Sequence, residues 1–193
     1  MPALEERFRE YVRKVTLRVP DEDIPMLMGA TEYRELKKGT ALLREGEVCR
    51  SVYLVAAGYL RTYYNKDGTT INLNFSFEGD YTGHIKSMRN HLPSEYTIEA
   101  GEDAAVWIFN IDSISGQFDR DSEIFLFIRR IAMYLLAVTE DQSNFFKIYT
   151  PTERYHYIEE HNPQLLQRVS LSQISSYLGV TRETLSRIRA KRD

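Results

Sequence analysis

The apolar positions along this chain change their period three times, and each change marks a different kind of structure. Leu4, Phe8, Tyr11, Val12 and Val15 fall at helical spacing, which predicts a short amphipathic helix over residues 4–18. Asp21 then offers an N-cap for a second short helix ending near Gly29. From residue 31 to about 110 the segments are rich in Tyr, Val, Ile, Thr and Phe, and Gly46, Gly58, Gly68 and Gly79 punctuate them at intervals of ten to twelve residues. That rhythm predicts a roll or sandwich of short strands. Its clearest strand is residues 71–77, where Ile71, Leu73, Phe75 and Phe77 alternate with Asn72, Asn74 and Ser76, one face to be buried and the other wet. Just before it, Asp67-Gly68 is the pair a tight hairpin needs, since glycine has no Cβ to clash at positive φ.

Between Gly116 and Pro151 there is neither glycine nor proline, and the stretch reads as one long helix. Ile124, Ile128, Ile131, Leu135, Val138, Gln142, Phe145 and Tyr149 recur at alternating steps of four and three. Such a stripe is a coiled-coil seam with one polar interruption, and it predicts a parallel homodimer through residues 124–149. The same stripe also suits a helix packed on its own roll. Phe125, Ala132 and Leu136 lie off the seam and supply apolar surface for the second of these purposes.

Beyond residue 150 the caps become dense. Thr150-Pro151-Thr152-Glu153 is a capping box with proline at the first helical position, and Asn162-Pro163 breaks the helix it opens. Ser170-Leu171-Ser172-Gln173 is a second capping box, and Gly179 ends the helix that runs through Leu178. Thr181 caps a last helix from Arg182 to about Arg189, giving helix, tight turn, helix. Ile174, Leu178, Val180, Leu185 and Ile188 would hold this unit together, leaving Arg182, Glu183, Ser186, Arg187 and Arg189 outward. An arginine fork matches guanine O6 and N7, and a carboxylate accepts from cytosine N4, so this stripe has the chemistry to read base edges. Ser170, Ser172, Thr181 and Thr184, at helix starts, are placed to contact phosphates.

Charge sharpens this reading. The net charge of -3 gives no whole-molecule attraction to nucleic acid, so any contact is local. Arg182, Arg187, Arg189, Lys191 and Arg192, opposed by only Glu183 and Asp193, are such a local patch. Cys49 is the single cysteine, which excludes an internal disulfide and a thiolate-held zinc or iron–sulfur site, and points to a reducing, cytoplasmic setting. No run of eighteen apolar residues exists, and the charged first twenty residues are neither signal nor anchor. His84 and His91 stand seven apart without a companion carboxylate, so no metal is expected.

With these residues in hand the chain resembles the Crp/Fnr family of bacterial, catabolite activator-like regulators. The resemblance rests on Gly46-Glu47, Tyr53, Gly58, Asp67-Gly68 and Gly79-Asp80 in the roll, and on residues 178–188, Leu-Gly-Val-Thr-Arg-Glu-Thr-Leu-Ser-Arg-Ile, in the reader. It implies an α+β fold: a cyclic-nucleotide-binding-like β-roll over residues 1–118, a dimerisation helix over 119–149, and a helix-turn-helix domain over 150–193. It also implies a homodimeric transcription regulator, not an enzyme, that binds double-stranded DNA and meets RNA polymerase. By resemblance Arg182, Glu183 and Arg187 fall on base-reading positions, and Thr181 and Ser170 on phosphate-contacting ones; Arg189 and Lys191 extend the basic stripe.

The sequence departs from the family in its effector pocket. Cyclic-nucleotide-responsive members carry a Gly-Glu pair and, further on, an Arg-Ser pair that grips the cyclic phosphate. In that register this chain has Gly83-His84 and Ser94-Glu95. The guanidinium is missing, and Glu95 is expected to set a carboxylate where an anion should sit, which predicts no response to cyclic AMP. The effector is left unidentified and no cofactor is expected. Residues 164–169 are too few for the β-wing that many relatives carry, so Lys191 and Arg192 are expected to take over part of its contacts. Two other functions fit parts of the pattern: a ligand-binding regulatory module that does not touch DNA, and an enzyme of cupin type, for which the ligand cluster is lacking.

Overall fold

The computed structural model describes residues 2–15 and 20–190. The N-terminal pattern forms α1 (Pro2–Val15), with Phe8 and Val12 fully buried. Asp21 does not cap the next helix. It lies in a 3-10 turn, Asp21–Asp23, where its carboxylate is paired with Arg9 at 2.9 Å and Arg13 at 2.5 Å, while Asp23 takes the N-cap position of α2 (Ile24–Gly29) without a side-chain bond. Two guanidiniums offer that carboxylate stronger, charge-assisted bonds than a backbone N–H does.

The roll follows: β1 (Glu32–Leu36), β2 (Ala41–Leu43), β3 (Ser51–Ala57), β4 (Leu60–Lys66), β5 (Thr69–Ser76), β6 (Tyr81–Thr82), α3 (Ile85–Asn90), β7 (Thr97–Ala100) and β8 (Ala104–Asn110). The strands make two antiparallel sheets, ordered β1-β8-β3-β6 and β2-β7-β4-β5. The predicted hairpin joins β4 to β5, with Asp67 at φ 50° and Gly68 at φ 80° between the paired Lys66 and Thr69. Strands β3 and β8 are buried on both faces. One face (Tyr53, Val55, Val106, Ile108) fills the roll with Leu60 and Ile98, and the other (Val52, Leu54, Trp107, Phe109) lies under helices.

The helix after the roll begins with a short α4 (Ile111–Gln117), capped by Asn110, and continues as the 26-residue α5 (Glu123–Ile148). Here the structure corrects the seam. Ile124 and Ile131 are fully buried and Leu135 is 7% exposed, all in one cluster with α1, β3 and β8; Ile128 packs on its edge. Further along, Gln142 Nε2 donates to the Leu73 carbonyl and Phe145 joins a cluster with the C-terminal helices. The first half of the stripe is thus buried by the same chain, while Tyr149 at its far end stays 37% exposed. A hydrophobic period states that a face must be covered, not what covers it, and the apolar back of the first sheet is tethered beside this one. The outer face of α5 instead carries Met133 at 66% exposure and Leu136 at 50%.

The remainder is α6 (Pro151–His161), α7 (Pro163–Arg168), α8 (Leu171–Leu178) and α9 (Arg182–Ala190). Both capping boxes form, Thr150 with Glu153 and Ser170 with Gln173, and Gly179 closes α8 in the left-handed region at φ 70°. Helix α7 fills most of residues 164–169, so no hairpin lies there. Among the described residues, no helix is long and apolar enough to cross a membrane.

Strand β5 departs from its expected half-wet alternation. Phe75 and Phe77 are buried with Tyr59 against the C-terminal helices, and Asn72 and Ser76 are also buried, at 4% and 2% exposure. The strand is covered on both sides because α8 packs over it, where the Ser176 hydroxyl accepts from Asn72 N–H at 3.0 Å and donates to the Thr70 carbonyl at 3.1 Å.

Candidate nucleic-acid interface

Ile174, Leu178, Leu185 and Ile188 bind α8 and α9 to each other and to Tyr155, Ile158, Leu165 and Val169 of α6 and α7. The buried side of α9 being fixed in this way, Arg182, Glu183, Ser186, Arg187 and Arg189 are all exposed along one groove. Thr181 Oγ1 accepts from Thr184 N–H at 3.2 Å and caps α9. Arg187 leans back, its Nε within 3.5 Å of the Glu183 carbonyl and its Nη2 within 3.5 Å of Thr184 Oγ1. Its guanidinium nevertheless makes no ion pair among the described residues. Glu183's own backbone N–H and the Thr181 side chain hold its carboxyl below the usual carboxylate range, so it is ionised and accepts bonds at neutral pH.

Ser170 is exposed at the start of α8, its hydroxyl engaged in the capping box, and Ser172 is exposed in the first turn. The structure therefore gathers Thr181, Arg182, Glu183, Thr184, Arg187 and Arg189 on one helix, with Ser170 and Ser172 on its neighbour. Lys191 and Arg192 lie outside the described residues.

Sequence reasoning missed how this unit is held. Arg168, at the end of α7, gives Glu78 both guanidinium nitrogens at 2.8 and 2.9 Å and also bonds Glu102, while its plane lies 5.2 Å from the Phe77 ring. Arg154 donates to the Tyr149 carbonyl at 2.9 Å and to the Leu178 carbonyl at 2.8 Å, joining the ends of α5 and α8. The only sequence signal for either was a basic residue near a helix end.

A cavity of about 490 Å³ lies between the roll and α5. Gly83 and His84 line it, as do Lys86 and Arg89, but Ser94 and Glu95 do not. Glu95 is exposed and paired with the Lys86 ammonium of the lining, which holds its carboxyl below the usual range. The Ser94 hydroxyl is buried and donates to the Tyr96 carbonyl at 2.7 Å. Its proton being committed, it accepts from His84 Nδ1 at 2.9 Å, which fixes that tautomer. His84 stacks on Tyr96 with centroids 4.1 Å apart, and burial lowers its pKa, so it is neutral at pH 7. Cys49 is 1% exposed, burial raises its pKa, and it donates to the Ser51 carbonyl, an unreactive thiol. Among the described residues no three His, Cys, Asp or Glu side chains gather as a metal site.

A roll followed by a long helix and a C-terminal group of helices is also the arrangement found in known proteins. Residues 33–121 match the family described as cyclic nucleotide-binding domain. The chain has the Crp/Fnr fold. FixK2 from Bradyrhizobium japonicum superposes with a TM-score of 0.68 at 22% identity, covering 83% of each chain. The c-di-GMP responsive global regulator CLP of Xanthomonas campestris gives 0.70 at 15% identity over 89% of this chain and 91% of CLP. The catabolite activator protein of Thermus thermophilus gives 0.57 at 17% over 91% and 84%. No curated protein sequence matches the chain. The matched residues run from β1 through β8 and α4 and leave α8 and α9 outside.

Proposed function

We propose that this chain is a sequence-specific, DNA-binding transcription regulator that acts as a homodimer and has no catalytic role. The observation that carries the proposal is α9: one side is locked into the α6–α8 core, and the other presents three exposed arginines, without an ion pair among the described residues, and an ionised glutamate along a single groove. Arg182, Glu183 and Arg187 read base edges, Arg189 and Lys191 add phosphate attraction, and Ser170, Ser172, Thr181 and Thr184 contact the backbone. Docking against the roll leaves this face open, so the reader does not have to leave the roll to meet a duplex.

The dimer contact in this proposal is the outer face of α5, with Met133 and Leu136 at its centre, because Ile124, Ile131 and Leu135 of the stripe first expected there are buried against the roll. Two readers on a paired stalk meet half-sites about one helical turn apart. The effector pocket is the cavity between roll and α5. Ser94 stands outside the lining, its hydroxyl committed to Tyr96 and His84, which supports a pocket that does not take cyclic AMP in the family's manner; calorimetric titration with cyclic AMP showing micromolar binding would refute this part. Selection of bound duplexes from a random pool tests the whole reading. It is expected to yield a two-fold symmetric motif, and recovery of no common motif would defeat it.

A further inference from the structure

A second cavity, of about 450 Å³, lies at the joint where α5, the roll and the C-terminal helices meet, and the DNA-reading proposal makes no use of it. The roll contributes Asn74, α5 contributes Asp141 and Phe145, and the C-terminal helices contribute Tyr157, Asn162 and Tyr177. Its volume is within the range of small-molecule sites. One wall is aromatic: the rings of Phe145 and Tyr157 are 5.4 Å apart, Tyr149 and Tyr157 5.5 Å, and Phe145 and Tyr149 5.9 Å.

The formal charge here is of one sign. No Lys, Arg or His lines the cavity, yet the Asp141 carboxylate has no hydrogen bond or ion pair among the described residues. Asn162, also in the lining, keeps a buried Oδ1 without any hydrogen-bond partner. A buried acceptor left unmade costs free energy, and a ligand donor would recover it. Aromatic faces, a free carboxylate and an orphan carbonyl all attract positive charge, whereas an anion would meet the carboxylate with no cation to offset it.

We propose that this joint cavity is a binding site for a small organic cation, an ammonium carried on an apolar body the size of one ring. Asp141 and Asn162 supply the acceptors, and the Phe145 and Tyr157 rings supply the surface for the body. A ligand touching both Asn74 and the C-terminal helices favours their docked arrangement. That regulatory consequence rests on the reading of those helices as a DNA reader; the binding itself does not.

Calorimetric titration of the full chain, without DNA, tests the proposal with three probes of one shape: phenethylamine, its neutral analogue 2-phenylethanol, and phenylacetate. Phenethylamine is expected to bind more tightly than the alcohol by about tenfold, the scale of a desolvated cation–π contact, with phenylacetate weakest. Asp141→Asn, at an exposed and unpaired position, should bring phenethylamine down to the alcohol's affinity and leave the alcohol unchanged. Tyr157→Ala should weaken both. No binding of phenethylamine at millimolar concentration, equal affinity for all three probes, or a preference surviving Asp141→Asn would each overturn it. Duplex binding measured separately reports on the DNA-reading proposal alone, so the two fail independently.

Discussion

Arg168→Ala removes the guanidinium that fastens α7 to the roll, and the structure sets the size of the effect. Three charge-assisted hydrogen bonds are lost, two to Glu78 and one to Glu102. Each would contribute about 1.5–3 kcal/mol if fully buried. The side chains of Arg168, Glu78 and Glu102 keep 25%, 32% and 35% exposure, so screening by water removes most of that. Packing over Phe77 and Tyr59, at 5.2 and 5.7 Å, adds about 0.5–1 kcal/mol. The net expectation is a loss of about 2–3 kcal/mol, read as a lower urea midpoint at unchanged slope. Arg168→Lys should recover less than half, because an ammonium cannot take both Glu78 oxygens at once. Burial alone would push the Glu78 carboxyl up, but its bonds from Arg168 and from backbone N–H groups outweigh this and hold it below the usual range. A carboxyl depressed in the folded state adds stability above its unfolded pKa and loses it as pH falls through the folded one. The gap between wild type and Arg168→Ala should therefore close below about pH 4. Equal midpoints at pH 7, or a gap that widens in acid, would refute the reasoning.

Gly101→Ala would place a Cβ 2.0 Å from Cε2 of Tyr59, a ring only 2% exposed, and should cost about 1–3 kcal/mol by overpacking in the same urea assay. Met133→Asp with Leu136→Asp should turn a dimer into a monomer in sedimentation while leaving the thermal midpoint of the monomer unchanged, since both side chains are half or more exposed. A dimer that persists would move the contact elsewhere. Burial keeps the His84 pKa below its unfolded value, so the unfolded chain binds more protons and stability falls as pH drops below about 6.5. His84→Gln should flatten that part of the stability–pH curve, and a slope that is unaltered would remove His84 as its source.

Local signals were legible in the sequence because their physics is local. The two capping boxes, the Asp67-Gly68 turn and the Gly179 helix stop depend on neighbours within four residues, and all are present. What sequence reasoning missed needed knowledge of the partner. The stripe on α5 and the apolar face of β5 were both visible, yet the first half of the stripe is buried against the roll and the strand face is covered by α8. Glu95 was assigned by register alone, and its ion pair with Lys86, nine positions earlier, carried no sequence pattern. Arg168 carries no pattern, because its partners Glu78 and Glu102 are 90 and 66 residues distant. Of the candidate interface, the face of α9 was readable from its amphipathic spacing, while the joint cavity arises only once three separate segments meet.

Polarisation titration of a selected duplex against a shuffled one, with wild type and Arg187→Ala, tests the reading of α9 most directly. The account predicts that the substitution removes about 1–3 kcal/mol of discrimination between the two duplexes and leaves most of the non-specific, salt-sensitive affinity in place. Wild-type protein that ignores both duplexes at low ionic strength, or a variant that discriminates as well as wild type, would contradict it.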